Sequence, residues 1–375
     1  MPAGWTRLAA VTAARHHVID RRKPAGGRGA SSNPRSRFDT LVIEPVHDGW
    51  DSDGESDAAL KTELIKDDSK SVIARNSSPD VPFDQSINPY RGCEHGCAYC
   101  YARPTHAWLG LSPGLDFETK ILFKPDAAHL LREELSRPGY RCSTITLGTN
   151  TDPYQPAEST LKLTRSVLEV LSDCRHPVSI VTKSALIERD IDLLAPMANL
   201  GLASVMVSVT TLDDDLKRRL EPRTASPSRR LKTIRTLSEA SIPVGVLVAP
   251  VIPAINDQEI EAILAASGDA GACNAAYILL RLPHEVAPLF EEWLRLHYPR
   301  RSDKVMSLVS QARGGRLNDP RFGHRMSGHG PWAEMIRQRF RKSCRRAGIP
   351  IGEHRDLDTT AFSRPPAQSG QLDLI

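Results

Sequence analysis

Long apolar runs are missing from this chain. No stretch approaches the ~18 consecutive apolar residues of a membrane-spanning helix, so no membrane partner is expected. Aromatic residues are scarce, at 5%, which leaves few rings for stacking on nucleobases. Neither sign of charge dominates: 49 Lys and Arg stand against 45 Asp and Glu, and the formal charge is +4. Any nucleic-acid contact must then rest on a local patch. A secretory signal puts its positive charges first; here Met1–Ala14 is partly apolar and Arg15, Arg21, Arg22 and Lys23 follow it. Cysteines number seven, an odd count, with three crowded into Cys93–Cys100, which is no framework for secreted disulfides. The expectation is a cytoplasmic protein with reduced thiols.

What is present reads as α/β. The 375 residues suffice for one large domain of ~200–250 residues with extensions, or for two domains. Residues 1–80, rich in Gly, Ser, Pro, Asp and Arg, bury too little apolar surface to offset ordering entropy. They are predicted to be a disordered tail, with Thr40–Pro45 as one strand able to pack on the domain. From Phe83 onward strand-like and helix-like stretches alternate. The strands are Ser86–Tyr90, Thr144–Leu147, Val178–Thr182, Ser204–Val209, Val244–Ala249 and Ala276–Leu282. The helices are Ala127–Leu135, Glu158–Leu171, Asp190–Ala195, Ser226–Ala240, Asp257–Ala266 and Ala287–His297, with Pro227 at a first helical position and Asp257 as an N-cap. Such alternation predicts a parallel sheet, and six units are too few for a closed eight-fold barrel. A partial (β/α)6 barrel over 81–300 is therefore expected, then an extension over 301–355 and a flexible tail over 356–375. The extension ends in a basic helix, Pro331–Ala347, carrying Arg337, Arg339, Arg341, Lys342, Arg345 and Arg346, with Trp332 and Phe340 spaced to dock it and Gly348 placed to end it.

Ligands of parallel sheets bind at the carboxyl ends of the strands. Those ends here are Cys93–Cys100, Gly148–Glu158, Thr182–Ser184, Ser208–Thr211 and Pro250–Asp257, all dense in polar groups, Gly or Pro. Three thiolates spaced C-x₃-C-x₂-C can hold three irons of a cubane and leave the fourth iron free. A structural zinc instead asks for four ligands, usually two close-spaced pairs. His95 or His106 would have to complete such a site, because Cys142, Cys174, Cys273 and Cys344 stand alone. The loop by itself leaves a cluster, a zinc ion and unligated cysteines open. Plain structural roles also exist for the other strand-end residues: Asp152 as a turn former before Pro153, Lys183 as a solvated charge, Ser208 as a satisfied strand residue, Tyr99 as loop packing and Glu221-Pro222-Arg223 as a helix-boundary ion pair. Their occurrence at successive strand ends points to one pocket.

Ser86-Ile87-Asn88-Pro89-Tyr90-Arg91-Gly92-Cys93-Glu94-His95-Gly96-Cys97-Ala98-Tyr99-Cys100, with its aromatic just before the last cysteine, resembles the radical S-adenosylmethionine (radical SAM) superfamily. The likeness covers about Phe83–Pro299. Gly148-Thr149-Asn150-Thr151-Asp152-Pro153-Tyr154-Gln155-Pro156-Ala157-Glu158 is similar to the corresponding segment of the branch that contains spore photoproduct lyase. The two strings together resemble a bacterial subfamily of that branch and fix no substrate. The resemblance implies a [4Fe–4S] cluster on Cys93, Cys97 and Cys100, with S-adenosylmethionine chelated to the unique iron and cleaved to a 5′-deoxyadenosyl radical that abstracts hydrogen from substrate. It implies Tyr99 beside the adenine, Thr151 and Asp152 on the methionine ammonium, Lys183 on the carboxylate, Ser208 on the ribose and Val244–Asn256 flanking the adenine. It further implies a reductant protein such as flavodoxin or ferredoxin, and a nucleic-acid lesion or modified nucleotide among the substrates.

One departure stands out. The lyase's hydrogen-donating cysteine falls at Thr149, whose hydroxyl does not donate hydrogen atoms as a thiol does. Direct thymine-dimer reversal by the same route is not expected, and Cys142 is the candidate substitute. The competing class is a non-catalytic, zinc-stabilised nucleic-acid-binding protein. Its phosphate-tracking surface would be the basic helix with Arg218, Arg219, Arg223, Arg229, Arg230 and Arg235.

Overall fold

Apolar, β-branched runs such as Val178–Thr182 and Val244–Val251 bury nearly every residue, as strands covered on both faces must. The computed structural model of the chain describes residues 27–39, 60–352 and 356–366; Thr40–Pro45 lies outside the described residues. In chain order the strands are β1 (Glu63–Lys66), β2 (Ile73–Arg75), β3 (Gln85–Ile87), β4 (Tyr90–Arg91), β5 (Lys120–Phe123), β6 (Ile145–Leu147), β7 (Val178–Thr182), β8 (Ala203–Ser208), β9 (Val244–Val251) and β10 (Ala275–Leu279). The main sheet runs β10-β9-β8-β7-β6-β3-β2. Its six expected strands are all parallel, and β2 adds an antiparallel edge. Ile87, Leu147, Ile180, Val205 and Val244 stand in one row across it, all buried. With helices between successive strands, this is the partial α/β barrel. A second sheet, β1-β5-β4, frames the chain just before the cysteine loop.

Several boundaries differ from expectation, each for a local reason. The stretch Glu158–Leu171 forms two helices, Glu158–Leu161 and Leu163–Asp173, parted at Lys162 with φ 52°. The Glu158 carboxylate causes the break by accepting from the N–H groups of Thr164 (2.9 Å) and Arg165 (3.3 Å) at the start of the second helix. Asp257 caps nothing: it opens a 3₁₀ turn ahead of the Ile260–Asp269 helix and accepts from the Trp332 indole (3.3 Å). Helices Asp214–Leu220 and Ser302–Gln311 were not anticipated.

The ends of the chain bring the larger corrections. Residues 27–39 and 60–80, expected within a disordered tail, are ordered, and Arg28, Ala30, Ser31 and Ser36 are buried. Residues 356–366 are likewise placed: Phe362 packs on Tyr140 and His176, with centroids 5.5 and 5.3 Å apart. The Pro331–Ala347 helix forms as expected and ends at Gly348. Phe340, buried, meets Tyr277 at 4.7 Å and docks the helix. Arg339 pairs with Glu261 (2.7 Å) and Arg337 with Glu334, leaving Arg341, Lys342, Arg345 and Arg346 exposed. Among the described residues no helix is long and apolar enough to cross a membrane.

Candidate active site at the cysteine loop

The loop leaves β4 through Gly92 and turns again at Gly96, with φ of 83° and 65°. Neither position has room for a Cβ, which would stand 2.8 Å from His106 Cε1 at Gly92 and 2.6 Å from Glu118 Oε2 at Gly96. Two side chains fix its backbone. Gln155 accepts from the Glu94 N–H (2.9 Å) and donates to the Gly92 carbonyl (3.2 Å). Arg103, fully buried, donates to the Cys97 carbonyl through Nε (3.0 Å) and Nη2 (2.9 Å) and pairs with Glu118.

Cys93 and Cys97 are buried, Cys100 is partly so, and all three are free thiols. Burial, then Asp152 and the other two thiols, push Cys93 well up. Cys97 is pushed up to about 12 by burial and Glu221, against the pull of Lys183. Of the zinc candidates, His95 Nδ1 lies 3.3 Å from Asp152 and His106 Nε2 meets the Lys120 carbonyl at 3.0 Å, while the buried His106 Nδ1 has no hydrogen-bond partner among the described residues. Among the described residues no three His, Cys, Asp or Glu side chains come together as a metal-ion site.

The strand ends bring Asp152, Lys183, Tyr99 and Ser208 to this same mouth. Asp152 accepts from Thr182 Oγ1 (2.7 Å) and the N–H groups of Lys183 (2.7 Å) and Tyr154 (2.9 Å), besides His95. Burial alone would raise its carboxyl, but His95 and these donors hold it at about 2. Lys183 Nζ sits 5.9 Å from the Tyr99 ring centroid and makes no hydrogen bond to a described residue. Burial acts to lower its pKa, but Cys97 and Glu221 win and raise it. The Tyr99 hydroxyl donates to Glu221, which also takes Thr210 Oγ1 (2.8 Å) and a salt bridge from buried Arg230. Burial pushes Glu221 up, yet Arg230 and Lys183 bring it to about 2. Thr151 donates to the Tyr90 carbonyl (3.3 Å), and Ser208 is buried at the end of β8 with its carbonyl on Arg230 (3.0 Å).

Several contributors escaped the sequence reading. Glu221 and Arg223 are not an ion pair with each other; Arg223 binds Glu94 (3.2 Å) and Glu221 binds Arg230. Gln155 stands inside the Gly148–Glu158 segment, but its hold on the loop depends on contacts 61 and 63 residues back, which no local signal reveals. At the open rim the Arg281 guanidinium lies 4.2 Å above the Tyr101 ring and has no hydrogen-bond or carboxylate partner among the described residues. The Tyr101 hydroxyl donates to the Thr149 carbonyl, so the residue at the lyase's cysteine position lies on that rim. Cys142 does not: it precedes β6, at the opposite end of the sheet, and burial and Asp358 push its thiol up to about 11. It is no substitute donor.

The site is thus a three-cysteine loop and the Lys183 ammonium at the mouth of a partial α/β barrel. Residues 87–266, just under half of the chain, match the family described as the Radical SAM superfamily. The uncharacterized protein Rv2578c of Mycobacterium tuberculosis is 39% identical over 221 residues, 58% of this chain and 65% of that relative. The chain thus spans just under two thirds of its mycobacterial relative. The uncharacterized protein MJ0683 of Methanocaldococcus jannaschii is 28% identical over 239 residues, 64% of this chain and 85% of its own length. Among solved structures, spore photoproduct lyase complexed with dinucleoside spore photoproduct aligns with a TM-score of 0.54 at 18% identity, over 77% of this chain and 81% of that one. At that identity the likeness is one of fold.

Proposed function

We propose that this chain is a cytoplasmic radical SAM enzyme whose Cys93, Cys97 and Cys100 hold a [4Fe–4S] cluster. When bound, the cluster supplies one electron to cleave S-adenosylmethionine and generate the radical that attacks the substrate. The donor set supports it: three free thiols crowd one mostly buried loop, where burial and the neighbouring thiols push Cys93 and Cys97 up, a cost that a bound cation would relieve. Three cysteines on the corners of a cluster need not converge on one atom as zinc ligands must.

The observation that carries the reading is Lys183. Its ammonium lies 5.9 Å from the Tyr99 ring centroid, feels the Cys97 and Glu221 charges and makes no hydrogen bond to a described residue, so a carboxylate is its natural partner. We assign it to the methionine carboxylate, Tyr99 to the adenine side and Ser208 to the ribose. Thr151 and Asp152 take the ammonium, Asp152 by giving up His95, the longest of its four contacts at 3.3 Å. The core over 81–300, with its extension over 301–355, would receive electrons from a flavodoxin- or ferredoxin-like protein. Substrate would approach the Thr149–Tyr101–Arg281 rim, and a nucleic-acid lesion or modified nucleotide is the class proposed.

Anaerobic reconstitution should give brown protein that releases 5′-deoxyadenosine on reduction. A Cys93→Ala/Cys97→Ala/Cys100→Ala variant that still carries the cluster would overturn the ligand assignment.

A further inference from the structure

Residues Arg28–Asn33 lie against the cysteine loop, not apart from it. Glu118, with no exposed surface, accepts from the N–H groups of Gly29 (3.0 Å) and Ala30 (2.9 Å) and from Arg103. Arg28 donates to the Glu118 carbonyl (2.7 Å), the Leu60 carbonyl (2.6 Å) and Thr62 Oγ1 (3.1 Å); Thr62 in turn donates to Glu94 (2.6 Å). A Cβ on Gly29 would stand 1.7 Å from the Gly96 carbonyl oxygen. The segment is pinned further along, where Ser31 and Ser32 donate to Glu292 (2.6 and 2.8 Å).

We infer that this N-terminal strap is a positioning element for the cysteine loop, acting through Glu118 and Arg103 on Cys97 and through Thr62 on Glu94. The physical reason is the cost of a buried, under-satisfied charge. Gly29 N–H is the hydrogen-bond donor to Glu118 Oε2 among the described residues, so lifting the strap leaves that oxygen bare. Glu118 would then draw Arg103 toward itself, and the guanidinium that clamps the Cys97 carbonyl would shift with it. A polar segment far back in sequence thereby sets the geometry of a ligand loop, as outer-shell partners do at metal centres. The inference rests on Cys93, Cys97 and Cys100 being cluster ligands.

The test is Gly29→Ala in the full chain beside wild type and Gly139→Ala, whose added methyl meets nothing within 4 Å. Iron per chain, cluster absorbance during chelator challenge and the spectrum of the reduced cluster are measured, together with unfolding of the cluster-free proteins. Gly29→Ala should lose iron about tenfold faster and change the reduced spectrum, while Gly139→Ala matches wild type. Glu118→Gln, which keeps one acceptor oxygen, should fall between. Identical iron loss and spectra in Gly29→Ala and wild type would overturn the strap's role, and so would a loss of iron matched by equal loss of stability in the cluster-free protein. A wild type that binds no cluster would overturn the cluster reading itself, and the inference with it.

Discussion

The same residue type does opposite work at the mouth of the barrel and on the Pro331–Ala347 helix. At the mouth, Arg103 and Arg230 are buried, and each spends its fork on backbone carbonyls and one carboxylate, Arg230 with the Thr224 hydroxyl besides. On the helix, Arg341, Arg345 and Arg346 face solvent while Ala333, Ile336, Phe340 and Cys344 do the packing. A buried guanidinium is a geometric part that fixes distances; an exposed one is a charge that acts at range and is screened by salt. Composition counts both alike.

Substitutions should separate the two sets. Arg103→Ala strands Glu118 in the interior and is expected to lower stability by about 3–5 kcal/mol, read as a fall in the urea midpoint. A loss no larger than that of an exposed arginine would erase the distinction. The next effect is acid sensitivity at the mouth. Asp152 and Glu221 are held at about 2 in the fold, below the ordinary carboxylate value of about 4. Their contribution is therefore complete above pH 4 and lost as pH falls through 2. Urea midpoints should drop over that window, and Glu221→Gln should flatten the drop. The smallest effect belongs to the helix: Arg341→Ala with Lys342→Ala should change stability by less than about 0.5 kcal/mol. Any DNA affinity should fall in that variant and become less salt-dependent, which a salt series would show.

Much of the barrel was legible because its signals are local. Six apolar runs became the six parallel strands, and Pro331 and Gly348 marked the helix bounds. The strand-end stretches that hold Asp152, Lys183 and Ser208 followed from topology, since parallel strands deliver their carboxyl ends to one mouth, and the resemblance picked out the three residues within them. What stayed hidden depends on partners far away in the chain. Arg28–Asn33 looks unstructured by composition because it is held by backbone N–H groups on Glu118, 88 and 89 residues later. Strands of two to four residues, as in β1, β4 and β5, carry too short a pattern to be recognised.

The Gln155 amide reads the cysteine loop with both of its ends, one as acceptor and one as donor. A carboxylate there would face the Gly92 carbonyl with oxygen against oxygen, so the position demands an amide and not merely a polar residue. Gln155 holds the loop backbone from Gly92 to Glu94, and Arg103 holds it at Cys97. If Cys93, Cys97 and Cys100 hold a cluster as proposed, binding would have little backbone entropy left to remove, and more of the intrinsic affinity of three thiolates would survive as affinity of the protein.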